Sequence, residues 1–289
     1  MAFDLFPESG SMRPEPSSER LGAPDRDTCA FLFDAANRLR APATHRKGSL
    51  RFGVDLGTAT IVIAAIDSDF RPVYWNFLPC EAVRDGVVLH FAEAVAAVGA
   101  LASEAASALG VEVAQASTAF PPGVAEAEAR ACRYVLENAG VTCRGLVDEI
   151  SAAQALLRVD DGAIVDVGGG STGVGVVANG KLVSLSDAPG GGYYLDLIIA
   201  GALRISVDEA ERRKRAGEPG LSSILRPGIE RIASSIRKQI TPRTVETVHL
   251  VGGAVRVREA PEIIGGYLGV HTLGYPHSEL VTPFGIAMS

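Results

Sequence analysis

With 289 residues, 47% of them hydrophobic and 21% charged, the chain carries enough apolar material for one compact bilobed unit plus a tail, which excludes general disorder. A formal net charge of −7 offers no clustered basic surface for a nucleic acid, and Gly, Pro, Asp or Arg interrupts every apolar run short of the roughly 18 to 20 residues of a membrane span. Cys29, Cys80, Cys132 and Cys143 show no CxxC or Cys/His ligand spacing and no signal peptide is read ahead of them, so a soluble protein of the reducing cytoplasm is expected.

Residues 1 to 26 are rich in Pro, Ser, Glu and Arg without periodicity and read as a disordered tail. Residues 28 to 40 place Phe31, Leu32, Ala35, Ala36 and Leu39 at helical spacing, and residues 41 to 49 read as a linker. Such a tethered helix either packs back on its own domain or lays Phe31 and Leu32 as anchors into a groove on a partner. The folded part begins at Leu50 with RFGVDLGTATIVIAAID and DFRPVYWNF, a hairpin from one sheet. Helical patterns follow at about 92 to 109, 123 to 139 and 150 to 158, with a short strand near 112 to 119. Residues 162 to 186 then repeat the hairpin layout, Asp166 and Gly168 answering to Asp55 and Gly57. Helices at about 191 to 204, 206 to 216 and 227 to 240 and a strand at 245 to 251 complete a second unit. The pattern predicts two α/β lobes of related design, 50 to 160 and 161 to 289, behind a tail, helix and linker at 1 to 49.

A Gly-rich turn between strands lets backbone N–H groups approach a phosphate, because glycine has no side chain and tolerates unusual dihedrals. The first turn and its flanks supply Gly57, Thr58, Ala59 and Thr60, and the second Gly168, Gly169, Gly170, Ser171 and Thr172, with hydroxyls able to donate to phosphate oxygens. Asp55 and Asp166 end the first strand of each copy, where carboxylates can hold the waters of a hydrated Mg²⁺. One such turn alone reads first as a tight hairpin; two matching copies favour phosphate binding between the lobes. Three further segments leave their alternatives open. Gly252 and Gly253 after VHLV suit a base or sugar against bare backbone, or a common strand end. Glu211 with Lys214 or Arg215 suits base or ribose contact, or a solvated helix face. Glu149 suits a water- or metal-orienting role, or a favoured charge at a helix N-terminus.

FGVDLGT, DEISAA, DVGGGST and LVGG resemble, in order, the first phosphate, first connecting, second phosphate and adenosine motifs of the actin, DnaK-type chaperone and sugar-kinase superfamily. EAVRDGVVLHF, FPPGV, LENAGV and VTPFGIA resemble most closely its ethanolamine-utilisation EutJ family. The resemblance implies an actin-like ATPase fold with two duplicated, ribonuclease-H-like lobes, ATP and Mg²⁺ in the cleft, and the chain crossing back to the first lobe at about 281 to 289. It also implies Glu149 and Asp166 as the hydrolytic carboxylates, a helix bearing Glu211, Lys214 and Arg215 over adenine, and Gly252 and Gly253 on the adenosine loop. The expected role is a chaperone-like or assembly factor with a protein client, ethanolamine ammonia-lyase or shell proteins of a bacterial microcompartment. The alternatives are an actin-like polymer or scaffold, and a small-molecule kinase with Asp85 or Asp148 as base. The chain departs from the superfamily in having Ile150 where the connecting motif has Pro. It also has no lysine between Lys47 and Lys181, so Arg71, Arg84 or Arg130 is left to face phosphate and any hydrolysis is expected to be slow.

Overall fold

A computed structural model describes residues 24–84, 87–257 and 259–289. The proposed tail lies almost wholly outside these residues, as does Asp85. The first half runs α1 (Arg26–Ala36), β1 (Arg51–Leu56), β2 (Thr60–Ile66), β3 (Pro72–Pro79), β4 (Val83–Arg84), β5 (Val87–Val88), α2 (Phe91–Leu109), β6 (Gln115–Phe120), α3 (Glu126–Asn138) and β7 (Thr142–Asp148). The second runs α4 (Glu149–Leu157), β8 (Gly162–Val167), β9 (Ser171–Ala178), β10 (Lys181–Pro189), α5 (Gly192–Leu203), α6 (Val207–Arg215), α7 (Leu221–Ile240), β11 (Thr247–Val251), α8 (Ala260–Leu268), β12 (His271–Gly274) and α9 (Val281–Met288).

The two sheets have one topology. The first is ordered β3-β2-β1-β6-β7 and the second β10-β9-β8-β11-β12, each an antiparallel meander joined through its first strand to two parallel strands. β8, buried along its whole length, reads as the continuous apolar run expected of a central strand. In this repeat α4, after β7, is the counterpart of α9, after β12. The two helices pack on each other, and each reaches across, α9 onto β1 and β2 and α4 onto β8 and β9. Each lobe has its own core, and a third apolar cluster around Ile150, Ala153, Ile164, Val251 and Phe284 fills the space between the sheets.

Helix α1 belongs to that central cluster, which corrects the docking idea. Leu32 and Ala35 are wholly buried, and the Phe31 ring meets Phe284 edge-on at 5.4 Å. Trp75 Nε1 donates to Ala35 O at 2.9 Å. The helix starts at Arg26 because Asp25 caps it, accepting from Thr28 N at 2.9 Å. The linker is pinned as well, through Ala43 N to Val73 O and Lys47 N to Asp67. Removing residues 1 to 45 uncovers Phe284 and orphans the Trp75 N–H, a loss of roughly 5 kcal/mol that should lower the melting temperature by on the order of 10 °C or cause aggregation. A truncated protein that melts with the parent in calorimetry would show the helix to be dispensable.

Helix α2 corrects another expectation, since its 19 residues are long and apolar enough, by length and composition, to cross a membrane. Here Ala94, Val98, Leu101, Ala102, Ala105 and Leu109 are buried under the first lobe, and Glu104 accepts from Asn76 Nδ2 at 2.5 Å.

Candidate functional site

The turn at 57 to 59 joins β1 to β2 and the turn at 168 to 170 joins β8 to β9, so the repeat brings equivalent ends of the two sheets together. A Cβ built on Gly169 would stand 3.3 Å from Thr58 Cβ and 3.6 Å from both Ala59 Cβ and Ala59 N. The two turns therefore face each other at close range. The carbonyls of Gly168 and Gly169 accept from the N–H groups of Gly192 and Tyr193, both at 2.9 Å. Since a trans peptide points its C=O and N–H opposite ways, the N–H groups of Gly169 and Gly170 are turned away from α5. Among the described residues neither these two N–H groups nor those of Thr58 and Ala59 donate a loop or turn backbone hydrogen bond, while Ala59 O accepts from Cys80 N at 3.2 Å and Gly170 O from Gly190 N at 2.8 Å. Backbone N–H groups on successive turn residues are the kind of donor an anion uses.

Asp55 on β1, Asp166 on β8 and Glu149 at the start of α4 lie beside these turns and feel one another's charge. Burial first, and then Asp166, raise the Asp55 carboxyl to about 7. Burial, followed by Asp166, Asp55 and Asp187, holds Glu149 well above the usual carboxylate range. Burial also raises Asp166, against a hydrogen bond in which Thr282 Oγ1 donates to its Oδ2 at 2.5 Å. Carboxylates raised in this way hold protons that a cation placed among them would displace. Among the described residues no three Asp, Glu, His or Cys side chains form a group that could hold a metal ion directly.

The diglycine after β11 completes the floor. Gly252 has φ +96°, and a Cβ on it would lie 2.4 Å from both Asp166 Oδ1 and Val167 O, so only glycine fits. Ser278 holds this residue on both sides, its carbonyl accepting from Gly252 N at 3.2 Å and its hydroxyl donating to Gly252 O at 3.0 Å. A Cβ built on Gly253 would meet nothing nearer than Glu279 Cβ at 3.8 Å, so the space above this backbone is open.

Other predicted residues take different parts. Ser171 and Thr60 open β9 and β2 opposite Pro189 and Pro79. Thr172 is turned inward, donating to Gly190 O at 2.6 Å, which removes it from the phosphate donors. Lys214 is buried on α6, its Nζ 2.7 Å from Asp196 and 2.8 Å from Gly192 O, so it clamps α6 to α5 instead of offering a free charge over adenine. Glu211 and Arg215 form a half-exposed ion pair at 2.5 Å, the solvated-face alternative. Asp148 caps α4, accepting from Ser151 N at 2.8 Å, so it is not a poised kinase base. Arg71 follows the turn at the opposite end of β2 from Thr58 and cannot replace the missing lysine.

Asp196 and Thr282 escaped the sequence reading. Asp196 had a signal, a single charge within the apolar helix YYLDLIIAGAL, which burial forces to find a partner. Thr282 had none beyond its place in VTPFGIA.

The MreB/Mbl protein family matches residues 78–208. The ethanolamine utilisation protein EutJ of Escherichia coli K12 is 33% identical over 259 residues, 89% of this chain and 92% of the relative. The crystal structure of EutJ from Carboxydothermus hydrogenoformans superposes with a TM-score of 0.86 at 34% identity, covering 91% of this chain and 98% of that one. MreB 5 of Spiroplasma citri bound to AMPPNP gives a TM-score of 0.66 at 17% identity over 83% of this chain and 95% of its own, a likeness of fold alone. The duplicated sheets are thus those of an actin-like ATPase fold, and the chain belongs to the EutJ family of ethanolamine utilisation proteins.

Proposed function

We propose that this chain is a Mg-ATP-dependent clamp that serves ethanolamine utilisation as a chaperone-like or assembly factor. The observation that carries the reading is the pair of opposed Gly-rich turns with N–H groups turned away from α5, beside three carboxylates of which Asp166 is buried and Asp55 and Glu149 are half-buried. Thr58, Ala59, Gly169 and Gly170 would cradle phosphates, Gly252 and Gly253 would lie under the nucleoside, and Asp55 and Asp166 would hold the waters of Mg²⁺, with Glu149 beside them. The cation offsets phosphate charge. Hydrolysis is slow in this reading, because no lysine stands between Lys47 and Lys181 to face the phosphates. Support for the nucleotide comes from the AMPPNP that the MreB structure carries on the same fold, and support for the pathway from the EutJ relatives. Nucleotide binding would change how the lobes sit and so alter a surface read by a protein client, ethanolamine ammonia-lyase or a microcompartment shell protein.

Titration calorimetry with Mg-ATP should show binding, with thermal stabilisation at millimolar nucleotide. Asp166→Ala should lose at least about tenfold of the affinity that Mg²⁺ adds. Absence of both binding heat and a melting shift in the parent would sink the reading.

A further inference from the structure

Thr282 reaches the buried carboxylate of the second lobe from a helix seated on the first. Helix α9 lies against β1 and β2 and crosses α4, with the Ala287 backbone facing Gly53 so closely that a Cβ there would stand 2.5 Å from Ala287 N. Asp166 belongs to β8 of the other sheet. Both side chains are buried, Thr282 6% and Asp166 7% exposed, and the bond between them is 2.5 Å long. A threonine in a first helical turn ordinarily directs its hydroxyl to nearby backbone. This one donates to a carboxylate 116 positions away. The other oxygen of Asp166 lies against Gly252, which has no Cβ to displace it. Both oxygens are thereby located, one by a donor and one by the bare backbone of the diglycine.

We propose that Thr282 is a positioning residue for the cation site, its hydroxyl fixing the Asp166 carboxylate so that a hydrated Mg²⁺ is held only when the two lobes stand in this relation. The inference rests on the Mg-ATP reading above and adds to it the part of the chain that ties cation binding to lobe position. A donor to a buried charged group contributes more than a neutral one, and without it the carboxylate can rotate off the geometry a cation needs.

The test compares the parent, Thr282→Val and Thr282→Ser by calorimetry, each titrated with ATP plus MgCl₂ and with ATP plus EDTA. The expected result is that valine, which keeps the shape and removes the hydroxyl, loses roughly ten- to a hundredfold of the affinity gained from Mg²⁺. Its metal-free ATP affinity should change little, and serine should restore the gain. Should the valine form fail to fold, Thr282→Ala serves as the hydroxyl-free variant. A Mg²⁺ gain as large in the hydroxyl-free protein as in the parent overturns the proposal. So does a loss in the serine form as large as in the valine form, because serine keeps the hydroxyl and should have restored the gain. If the parent itself binds no nucleotide, the Mg-ATP reading fails first and takes this one with it.

Discussion

Changing Gly285 to alanine, one added methyl group, is expected to cost several kcal/mol, enough to leave the protein largely unfolded or insoluble. A Cβ at this position would lie 2.0 Å from Ala152 O and 2.5 Å from Ala152 C. Both contacts are backbone, so no rotamer change relieves them. Gly285 is where α9 crosses its counterpart α4, and the neighbours Ala152 and Ala153 are themselves wholly buried. The two helices touch along their main chains, and moving them apart opens the cluster that holds Ile150, Ala153 and Phe284. Overpacking a rigid site costs about 1–3 kcal/mol even where side chains can yield. Gly99→Ala in α2 is the control. That glycine meets nothing within 4 Å, and alanine there should be neutral or stabilise by up to about 1 kcal/mol through helix propensity. A Gly285→Ala protein that expresses in soluble form and melts close to the parent would show the crossing to be more compliant than the geometry states.

The hairpins of both lobes were legible because Asp55 with Gly57 and Asp166 with Gly168 punctuate strong apolar alternation. Strands β7 and β12 were not. The first carries Arg144 and Gly145 within seven residues and the second has only four residues, and both lie at sheet edges, where one partner strand suffices and the apolar signal thins. Helix α7 was read from Pro227, a residue at home in a first turn, whereas it begins at Leu221 with Pro227 inside. The buried stripe Leu221, Leu225, Ile229, Ile232 and Ile236 overrides the proline. Helix α8, with Gly265 and Gly266, showed too little propensity to be seen. In the site, the glycines and Asp residues announced themselves by repetition. What repetition cannot show is which hydroxyl turns inward, as Thr172 does, or that Lys214 meets Asp196 across two helices, since both depend on tertiary placement.

Without metal, the protein is expected to lose stability as pH rises from about 5 to 8, and Mg²⁺ to reverse the trend. Asp55, Glu149 and Asp166 all have carboxyls raised in the folded state, Asp55 from 3.8 to about 7. The folded protein therefore binds more protons than the unfolded chain in this window. The stabilisation from that uptake is complete below an unfolded value of 3.8 and is lost as pH rises through about 7. His249 acts in the opposite sense: burial, then His271, lowers it from 6.5 to about 4, so its contribution is present above 6.5 and lost as pH falls through about 4. Comparing the parent with Asp55→Asn removes that opposing effect, since His249 is common to both. In EDTA at about pH 8 the asparagine form should be the more stable by on the order of 1 kcal/mol, because it carries no charge next to Asp166, while Asp55 in the parent keeps some contact with solvent. Added MgCl₂ should stabilise the parent and leave the variant nearly unmoved, the parent gaining more at high pH, where fewer protons must leave. Melting curves at several pH values, with EDTA and with MgCl₂, give the result directly. If Asp55→Asn is less stable than the parent in EDTA at pH 8, or responds to Mg²⁺ equally, the three carboxylates do not form a charge-frustrated cation site.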